Sequence, residues 1–479
     1  MLKRACLAVL SVLFAVSAGS QAQTLKNLTH QAPDGALVSF LLTDGTVMVQ
    51  GDAENDWWKL TPDITGSYLN GTWTQLASLE SGYVPYAFAS AVLADGRLII
   101  EGGEYNNGQF AFTNLGEIYD PATNIWTNVT PPAGWEFIGD SPSVVLPNGL
   151  YLVGRKFDEE MAALDPKTLT WTAYASTGKS DFNAEEGWTL LSDGTVLTYD
   201  VLNNPNSEKY NSTTQTWVTA GSTIANLQGP PSIHEITYGN GLMYFPPGEV
   251  GPAILRPDGT VFATGATHKS ATAGHTSIYT PALNSNNPGT WTPGPDFPNG
   301  DQAGDSFAAL LPNGNVLVEG NSGTSYEFNG TTLTAGPFAS GSFLVLPTGE
   351  VLVAGAQLYT STGNPLGSWA PRIKKFPSTV VRGSTYEIKG QQFNGLSQAA
   401  SFGDEFETAT NYPLVRITNT GTGHVFYAKT HNHSTMGVAT GKAIVSTHFD
   451  VPEAAETGSS TLVVVANGIP SKPVTITVN

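Results

Sequence analysis

The sequence is poor in cysteine, in charged residues and in long hydrophobic runs, and each shortage excludes a class of protein. Cys6 is the single cysteine among 479 residues, and it lies in an N-terminal stretch that we expect to be removed. Disulfide bonds, thiolate metal sites and cysteine nucleophiles are then excluded from the mature chain. Only 13% of the residues are charged, and beyond the first 22 residues no apolar run approaches the length of a membrane span.

The first 22 residues have the pattern of a secretory signal peptide. Lys3 and Arg4 precede a short apolar core, and small residues around Ser20-Gln21-Ala22 provide a cleavage site. We therefore expect residues 1–22 to be a signal peptide and the protein to be secreted or periplasmic. The formal net charge of −19 argues against nucleic acid and against membrane insertion or binding, because an acidic surface repels phosphate groups.

Short β-rich stretches end repeatedly at Asp-Gly or Asn-Gly pairs, as in FASAVLADGRLIIEGG. Glycine in such a pair supplies the positive φ angle that a tight two-residue hairpin requires. A Trp followed by a β-forming residue usually comes later in the same unit. The turns are Asp44-Gly45, Asp95-Gly96, Asn148-Gly149, Asp193-Gly194, Asn240-Gly241, Asp258-Gly259, Asn313-Gly314 and Thr348-Gly349, and the aromatic markers are Trp73, Trp126, Trp171, Trp217, Trp291 and Trp369.

This period, with four short strands per unit, is typical of an all-β fold, the kelch-type β-propeller. We expect seven blades, near residues 36–79, 88–130, 138–176, 185–220, 229–296, 304–337 and 339–369. The fifth is oversized because it holds two hairpin turns. It is either one blade with an insertion or two irregular blades, which would make eight.

A second domain follows the repeats. Ala370-Pro371-Arg372 is interpreted as a linker, because proline separates one strand from the next. Residues beyond it alternate as strands, as in STYEIKG and STLVVVANG. We expect residues 23–370 to form the propeller and residues 371–479 to form a C-terminal β-sandwich of immunoglobulin-like type.

The order of these parts resembles that of galactose oxidase and the glyoxal oxidases, which are secreted copper-radical oxidases. The resemblance lies in the kelch blade FASAVLADGRLIIEGG…GEIYDPATNIWTNV and in the layout APRI…YPLVRI…GHVF…LVVVANGIPS. It covers most of the mature chain as an architecture. Kelch motifs occur in proteins of many functions, so the resemblance implies a fold and leaves the chemistry open.

The resemblance implies a copper ion held by two His and two Tyr, with one Tyr cross-linked to Cys. No cysteine is available for that Tyr-Cys cofactor. The position of the cross-linked Tyr falls on Ala87, and the Tyr-His pair falls on Ala339-Ser340. Only His424 matches a ligand position, so we expect no oxidase activity.

The C-terminal domain contains a cluster of histidines that are candidate metal ligands. His431 and His433 are two positions apart and would project from the same face of an extended strand, with His424 nearby in sequence. Such a pair binds zinc or copper when a third ligand is present. The alternative is a polar loop that packs on the propeller with its imidazoles hydrogen-bonded.

The propeller mouth is the candidate ligand-binding face, because loops that enter the innermost strands surround the central channel. Carboxylates there could bind calcium or act as acid and base in glycan cleavage, and the aromatic rings offer faces for sugars. The candidate residues are Tyr83, Tyr86, Glu104, Asp140, Arg155, Glu186, His234, Glu235 and Asp305.

Three functions follow from these residues. The first is an exported binding protein that recognises a carbohydrate or another small polar extracellular ligand at the mouth, without turnover. The second is a polysaccharide lyase or hydrolase that uses the mouth histidine and carboxylates. The third is a divergent copper oxidase. Because no nucleophile motif or phosphate-binding loop is present, we favour binding, with copper, zinc or calcium as possible cofactors.

Overall fold

The computed structural model describes residues 23–230, 232–245, 248–266 and 274–479. The signal peptide expected at residues 1–22 lies outside these ranges. Within them the single helical element is a 3-10 turn at Pro298–Gly300, and no described helix is long and apolar enough to cross a membrane. The prediction of an all-β chain is confirmed.

The first part of the chain forms seven antiparallel sheets among the described residues; six have four strands, and sheet 6 has a fifth strand from the C-terminal part of the chain. In sheets 1 to 6 the four propeller strands are neighbours in chain order, as in a propeller blade. The strands are Val38–Leu41, Val47–Gln50, Trp57–Thr61 and Thr72–Gln75 in sheet 1; Ala89–Val92, Leu98–Glu101, Gly116–Asp120 and Ile125–Asn128 in sheet 2; Ser143–Val145, Tyr151–Gly154, Met161–Asp165 and Thr170–Tyr174 in sheet 3; Thr189–Leu190, Val196–Tyr199, Asn206–Asn211 and Thr216–Ser222 in sheet 4; Val250–Leu255, Val261–Gly265, Thr276–Thr280 and Thr290–Pro293 in sheet 5; Ala308–Leu310, Val316–Glu319, Thr324–Phe328 and Leu333–Phe338 in sheet 6; and Phe343–Val345, Val351–Val353, Gln357–Thr360 and Thr24–Asn27 in sheet 7.

The sheets are arranged in a ring. The first strands of sheets 2 and 3, 4 and 5, 5 and 6, 6 and 7, and 7 and 1 contact one another. The two inner strands of sheet 1 are wholly buried, whereas its outer strand is exposed. This burial pattern places the core between adjacent sheets, which confirms the propeller prediction.

Sheet 7 takes its outer strand from the start of the chain. Thr24–Asn27 pairs antiparallel with Gln357–Thr360. The expectation that the last blade is complete within residues 339–369 and ends at Trp369 was therefore wrong. The ring is closed by a hydrogen-bonded ladder between strands from the two ends of the propeller. Sequence repeats alone do not reveal such a pairing between distant segments.

The recurrent hairpin turns are one residue longer than expected. In the first of them the Gly45 N–H donates to the Leu42 carbonyl at 3.0 Å. Gly45 has a φ of 77°, and across these turns, all of which lie in the described chain, only the glycine has a positive φ. This is a type I turn followed by a left-handed glycine. The Asp44 carboxylate selects it by accepting a bond from the Thr46 N–H at 3.0 Å.

The tryptophans on the outer strands connect neighbouring sheets. The indole N–H of Trp126 in sheet 2 donates to the carbonyl of Ala77 at 2.9 Å, and that of Trp171 in sheet 3 donates to Thr130 at 2.7 Å. Trp126 also packs on Trp57 of sheet 1, with ring centroids 5.1 Å apart. These contacts follow from the chain direction, since each outer strand leads directly into the next sheet.

Two small additions lie outside the seven sheets. Asn240-Gly241 turns a separate hairpin of Ile236–Thr237 and Met243–Tyr244, so the extra turn of the fifth unit belongs to an insertion before sheet 5. Short strands at Pro85–Tyr86, Tyr105–Asn106 and Gln109–Phe110 form a three-stranded sheet beside sheet 2.

The C-terminal strands follow one hydrogen-bonded path around their own core. Their neighbours are antiparallel except for one parallel pair at the end of the path. The immunoglobulin-like class stays a prediction. In spatial order the strands are Arg372–Lys375, Thr385–Gln391, Val445–Asp450, Val425–His431, Leu414–Asn419, Gly458–Ala466, Val474–Val478 and Thr379–Val380, with Ile469–Pro470 beside Gly458–Ala466.

The C-terminal domain sends a loop into the propeller. We call residues 392–413 the channel insert. Its short strand Ala400–Ser401 pairs with the first strand of sheet 6. The Gln398 side chain accepts a bond from the Leu190 N–H of sheet 4 at 2.7 Å, and the Glu407 N–H donates to Ser90 Oγ of sheet 2 at 3.2 Å.

Aromatic packing holds the same insert in the channel. Phe406 is 2% exposed, and its ring lies 5.1 Å from Phe88 and 5.8 Å from Tyr86. Phe307 and Phe402 complete the cluster. The C-terminal domain is therefore a part of the propeller core and more than an appended module.

We predict that Glu101→Gln stabilises the protein at alkaline pH. Glu101 is 1% exposed, and neither carboxylate oxygen has a hydrogen-bond partner among the described residues. Burial raises the pKa of Glu101 well above its usual value. The folded state therefore binds this proton more tightly than the unfolded state does, and stability falls as pH rises above the unfolded pKa of about 4.3.

Urea unfolding should show Glu101→Gln to be more stable than the wild type by about 1–3 kcal/mol at pH 8, with no difference at pH 4. The matched control is Glu136→Gln at an exposed position, which should change stability little at either pH. A pH-independent effect of Glu101→Gln would contradict this account.

Candidate functional site

The tip of the channel insert reaches the mouth of the propeller on the face away from the C-terminal strands. Its residues Asp404 and Glu405 are 4% and 6% exposed. The approach is close, since a Cβ atom on Gly187 would lie 2.2 Å from the Gly403 carbonyl oxygen. Two backbones meet there without room for a side chain, and this fixes the acidic tip against the loop that enters sheet 4.

Three carboxylates and one lysine form a buried group beneath the mouth, which we call the inner carboxylate group. Asp140, Glu185 and Asp404 each place an oxygen within 4.8 Å of the other two. Lys156 is fully buried; its Nζ donates to Asp140 and, at 2.7 Å, to Glu185 Oε1. The group joins the loops before sheets 3 and 4 to the channel insert.

Burial and repulsion both disfavour negative charge in this group. Burial raises the pKa of Asp140 well above its usual value although Lys156 attracts the carboxylate, and Glu104 adds repulsion. Burial likewise raises the pKa of Asp404, and the neighbouring Glu405 raises it further. The ionised forms of Asp140 and Asp404 are therefore costly unless positive charge compensates them.

A second layer of carboxylates lines an open cavity of about 420 Å³. Glu249 and Asp305 lie in its wall, with Gln302 and Asn321 nearby. The Glu249 carboxyl hydrogen-bonds to Asp305. Asp305 is accessible from the cavity, yet the surrounding protein, followed by the Glu185 charge, raises its pKa to about 7. Burial, followed by repulsion from Glu185, also raises the pKa of Glu249, so the two carboxyls do not titrate independently.

An aromatic surface adjoins these carboxylates. Phe110 is 42% exposed and lies 4.3 Å from the Tyr105 ring and 5.2 Å from the Tyr238 ring. Tyr86 packs on Tyr105 at 5.8 Å. The Tyr238 hydroxyl donates to Glu104 Oε1 at 3.2 Å, which joins the rings to the acidic layer. The inserted hairpin at 236–244 contributes to both, because Ile236 lines the cavity.

A second buried acidic group lies in the loops beside sheet 4. Asp181, Glu186 and Asp200 have oxygens within 4.8 Å of one another. Both Glu186 oxygens accept bonds from Lys179 at 2.9 Å. Burial, followed by repulsion from Glu208, raises the pKa of Asp200 to about 7. Glu185 and Glu186 thus belong to different groups, and the Glu186 side chain is fully buried.

The structure brings some of the predicted mouth residues together and separates others. Asp140 belongs to the inner carboxylate group, and Asp305 lies in the cavity wall. Tyr86 packs on the aromatic surface, and Glu104 accepts the bond from Tyr238. Tyr83 is 3% exposed, and its hydroxyl donates to the Gly102 carbonyl at 3.1 Å.

Three further predicted residues are not members of the inner carboxylate group. Arg155 pairs with Asp158 at 2.5 Å and with Glu160 at 3.2 Å. His234 and Glu235 are exposed on the segment that runs between two cavity-lining residues.

The histidines of the C-terminal domain have separate partners. His424 Nδ1 lies 2.7 Å from Glu456 Oε1, and His431 Nε2 lies 3.1 Å from Asp450 Oδ1. His433 contacts Thr447 Oγ1 at 2.8 Å, and burial lowers its pKa to about 3. Among the described residues, neither group with ligand spacing contains a histidine, so the histidine metal site stays a prediction.

The residues missed by sequence reasoning come from two parts of the chain. Asp404 and Glu405 lie in the C-terminal half of the chain, where nothing in a strand pattern indicates that a loop enters the channel. Glu249 and Lys156 lie in propeller loops. The one available signal was the acidic run GDEFE in a segment otherwise rich in small and apolar residues.

The absence of the copper-radical ligand set stays a prediction. Among the described residues, the two groups of three acidic side chains with ligand spacing consist of carboxylates. Ser340, one of the residues expected to replace a copper ligand, donates through Oγ to Glu319 Oε1 at 2.5 Å. Carboxylate oxygens suit hard cations.

No protein-family model matches the chain, and comparison with curated proteins finds no match. Among solved structures, a fungal alcohol oxidase of the AA5 family in complex with copper is 13% identical, with a TM-score of 0.51 over 96% of this chain and 99% of that one. At this identity the likeness shows the fold alone.

Two other solved structures superimpose less closely and carry no weight for function. A streptogramin B lyase is 13% identical, covering 71% of this chain and 98% of its own, with a TM-score of 0.48. An extracellular domain of a putative one-component system from B. thetaiotaomicron is 11% identical, covering 96% and 58%, with a TM-score of 0.46.

We predict that Lys156→Met destabilises the protein strongly. The change removes the ammonium group from Asp140 and Glu185 and leaves two buried carboxylates facing each other. Breaking a buried ion pair from one side costs about 3–5 kcal/mol. Urea unfolding at pH 7 should show this loss, and adding Asp140→Asn should restore part of it.

The control for this prediction is Lys167→Met, which removes an exposed lysine and should have little effect. Equal stability of the two single variants would show that Lys156 does not neutralise the buried carboxylates.

Proposed function

We propose that the protein is an exported binding protein whose propeller mouth holds a carbohydrate or a similar polyhydroxylated ligand, without copper oxidase activity. The single observation that carries the proposal is the junction of an exposed aromatic surface with an acidic open cavity. Phe110 and Tyr105 supply the surface, and Glu249 and Asp305 supply the cavity wall. Tyr238 links the two through its bond to Glu104.

Sugars carry two kinds of chemical group that suit this junction. Their C–H bonds pack on aromatic rings, and their hydroxyl groups donate to carboxylates. Phe110 exposes 42% of its surface and packs beside Tyr105, so an aromatic face is open to a ligand there. A cavity of about 420 Å³ has the size of typical small-molecule sites.

The geometry also supports a second candidate, a polysaccharide lyase or hydrolase. Glu249 and Asp305 are hydrogen-bonded, and an Asp305 pKa of about 7 suits this carboxyl to acid or base chemistry near neutral pH. Direct contact between the two carboxyls is closer than the separations of the usual paired glycosidase carboxylates, so we rank turnover below binding. Release of reducing ends or unsaturated products from a bound glycan, lost in Asp305→Asn, would reverse that order.

We predict that Phe110→Ala weakens binding of the best glycan from an array screen by about tenfold or more, since stacking on one ring contributes more than 1 kcal/mol. Glu249→Gln should weaken it through loss of a charged acceptor. Titration calorimetry with the full chain measures both effects.

Phe338→Ala is the matched control, because Phe338 is 70% exposed on the outer strand of sheet 6. It should bind like the wild type. Wild-type affinity in both Phe110→Ala and Glu249→Gln would place the ligand elsewhere, and an array without any bound glycan would contradict the carbohydrate proposal.

The expected lack of oxidase activity has its own test. The copper-loaded protein should form no peroxide from galactose, glyoxal or simple alcohols, because Ala87 and Ala339-Ser340 stand where the family resemblance implies copper ligands and no cysteine is available for the Tyr-Cys cofactor. Peroxide formation that stops on copper chelation would overturn this part of the proposal.

A further inference from the structure

We propose that the inner carboxylate group is a binding site for a divalent cation of the calcium class, which ties the channel insert to the propeller. The three ligand side chains are Asp140, Glu185 and Asp404. Their oxygens lie within 4.8 Å of one another. Calcium–oxygen bonds of about 2.3–2.6 Å bring opposite ligands to about 5 Å apart, so the spacing suits this ion.

The charges in the group match a divalent ion. Three ionised carboxylates and the Lys156 ammonium carry two negative charges in excess, all in a buried volume. One divalent cation would make the group neutral; without it, two protons would have to bind. Burial makes an uncompensated excess of negative charge costly.

Buried oxygens without partners point to a missing ligand. Asp404 is 4% exposed, and its Oδ1 has no hydrogen-bond partner within the described ranges. The same holds for Asp140 Oδ1, although Lys156 binds the other oxygen of that carboxylate. Most buried polar atoms in proteins have a partner. These two oxygens come from different parts of the chain and belong to the same group.

The second acidic group is a poorer candidate because two of its three carboxylates already have donors, although Asp200 Oδ1 has no hydrogen-bond partner among the described residues. Asp181 Oδ2 accepts backbone bonds from Val201 at 2.6 Å and Leu202 at 2.8 Å. Lys179 donates to both oxygens of Glu186. A cation there would have to displace these donors, whereas at the inner carboxylate group it can use Oδ1 of Asp140 and Oδ1 of Asp404.

The test is calcium retention and calcium-dependent stability of the full chain. After loading with calcium and extensive dialysis, metal analysis should find one equivalent per chain. Calcium at a hundredfold excess over its dissociation constant should raise the Tm above that in a chelator by about 3 °C. Asp404→Asn should reduce calcium affinity at least tenfold while keeping the fold, because it removes a ligand and also a buried charge.

The Tm of Asp404→Asn, measured with and without calcium, distinguishes a loss of calcium binding from a loss of folding. In chelator the variant should melt at or above the wild-type Tm, and in calcium it should melt below the wild type. Asp200→Asn in the second group is the matched control and should keep the calcium response. Absence of retained calcium, or a calcium response lost in Asp200→Asn and kept in Asp404→Asn, would overturn the proposal. Because no glycan enters this experiment, its result is independent of the proposed ligand.

Discussion

The structure depends on the occupation of the propeller channel by the channel insert at 392–413. A ring of sheets leaves the inner edges of its first strands facing a central space, and their polar groups need partners there. The insert supplies these partners to sheets 2, 4 and 6, and it adds the buried ring of Phe406. The C-terminal domain therefore contributes both to the stability of the propeller and to its mouth.

The same insertion concentrates negative charge. Asp404 and Glu405 enter a region that already holds Asp140 and Glu185, and a single lysine is bonded to the pair. A protein gains no folding energy from such crowding, since each carboxyl must be protonated or neutralised. Buried groups held at this cost are characteristic of functional sites. The outer pair Glu249 and Asp305 extends the same electrostatic environment to the cavity.

The sequence was sufficient to predict the repeat architecture, because Asp-Gly turns and outer-strand tryptophans are local signals that act within one hairpin. Long-range pairings leave no such signal, so the closing strand at Thr24–Asn27 was missed. The acidic mouth was predicted in part: Glu104, Asp140 and Asp305 meet there, because propeller loops converge by symmetry. Asp404 could not be foreseen, since its position depends on a loop that leaves its own domain.

The pairing of Thr24–Asn27 with Gln357–Thr360 also limits where an N-terminal leader can be cleaved. If the leader is cleaved after Ala22, the new N-terminus lies one residue before the strand that completes the ring. A cut only a few residues further along would delete that strand and leave sheet 7 with an open edge. The ladder also joins residues 330 positions apart, so the ring can close only after nearly the whole propeller has been synthesised, which makes closure a late step of folding.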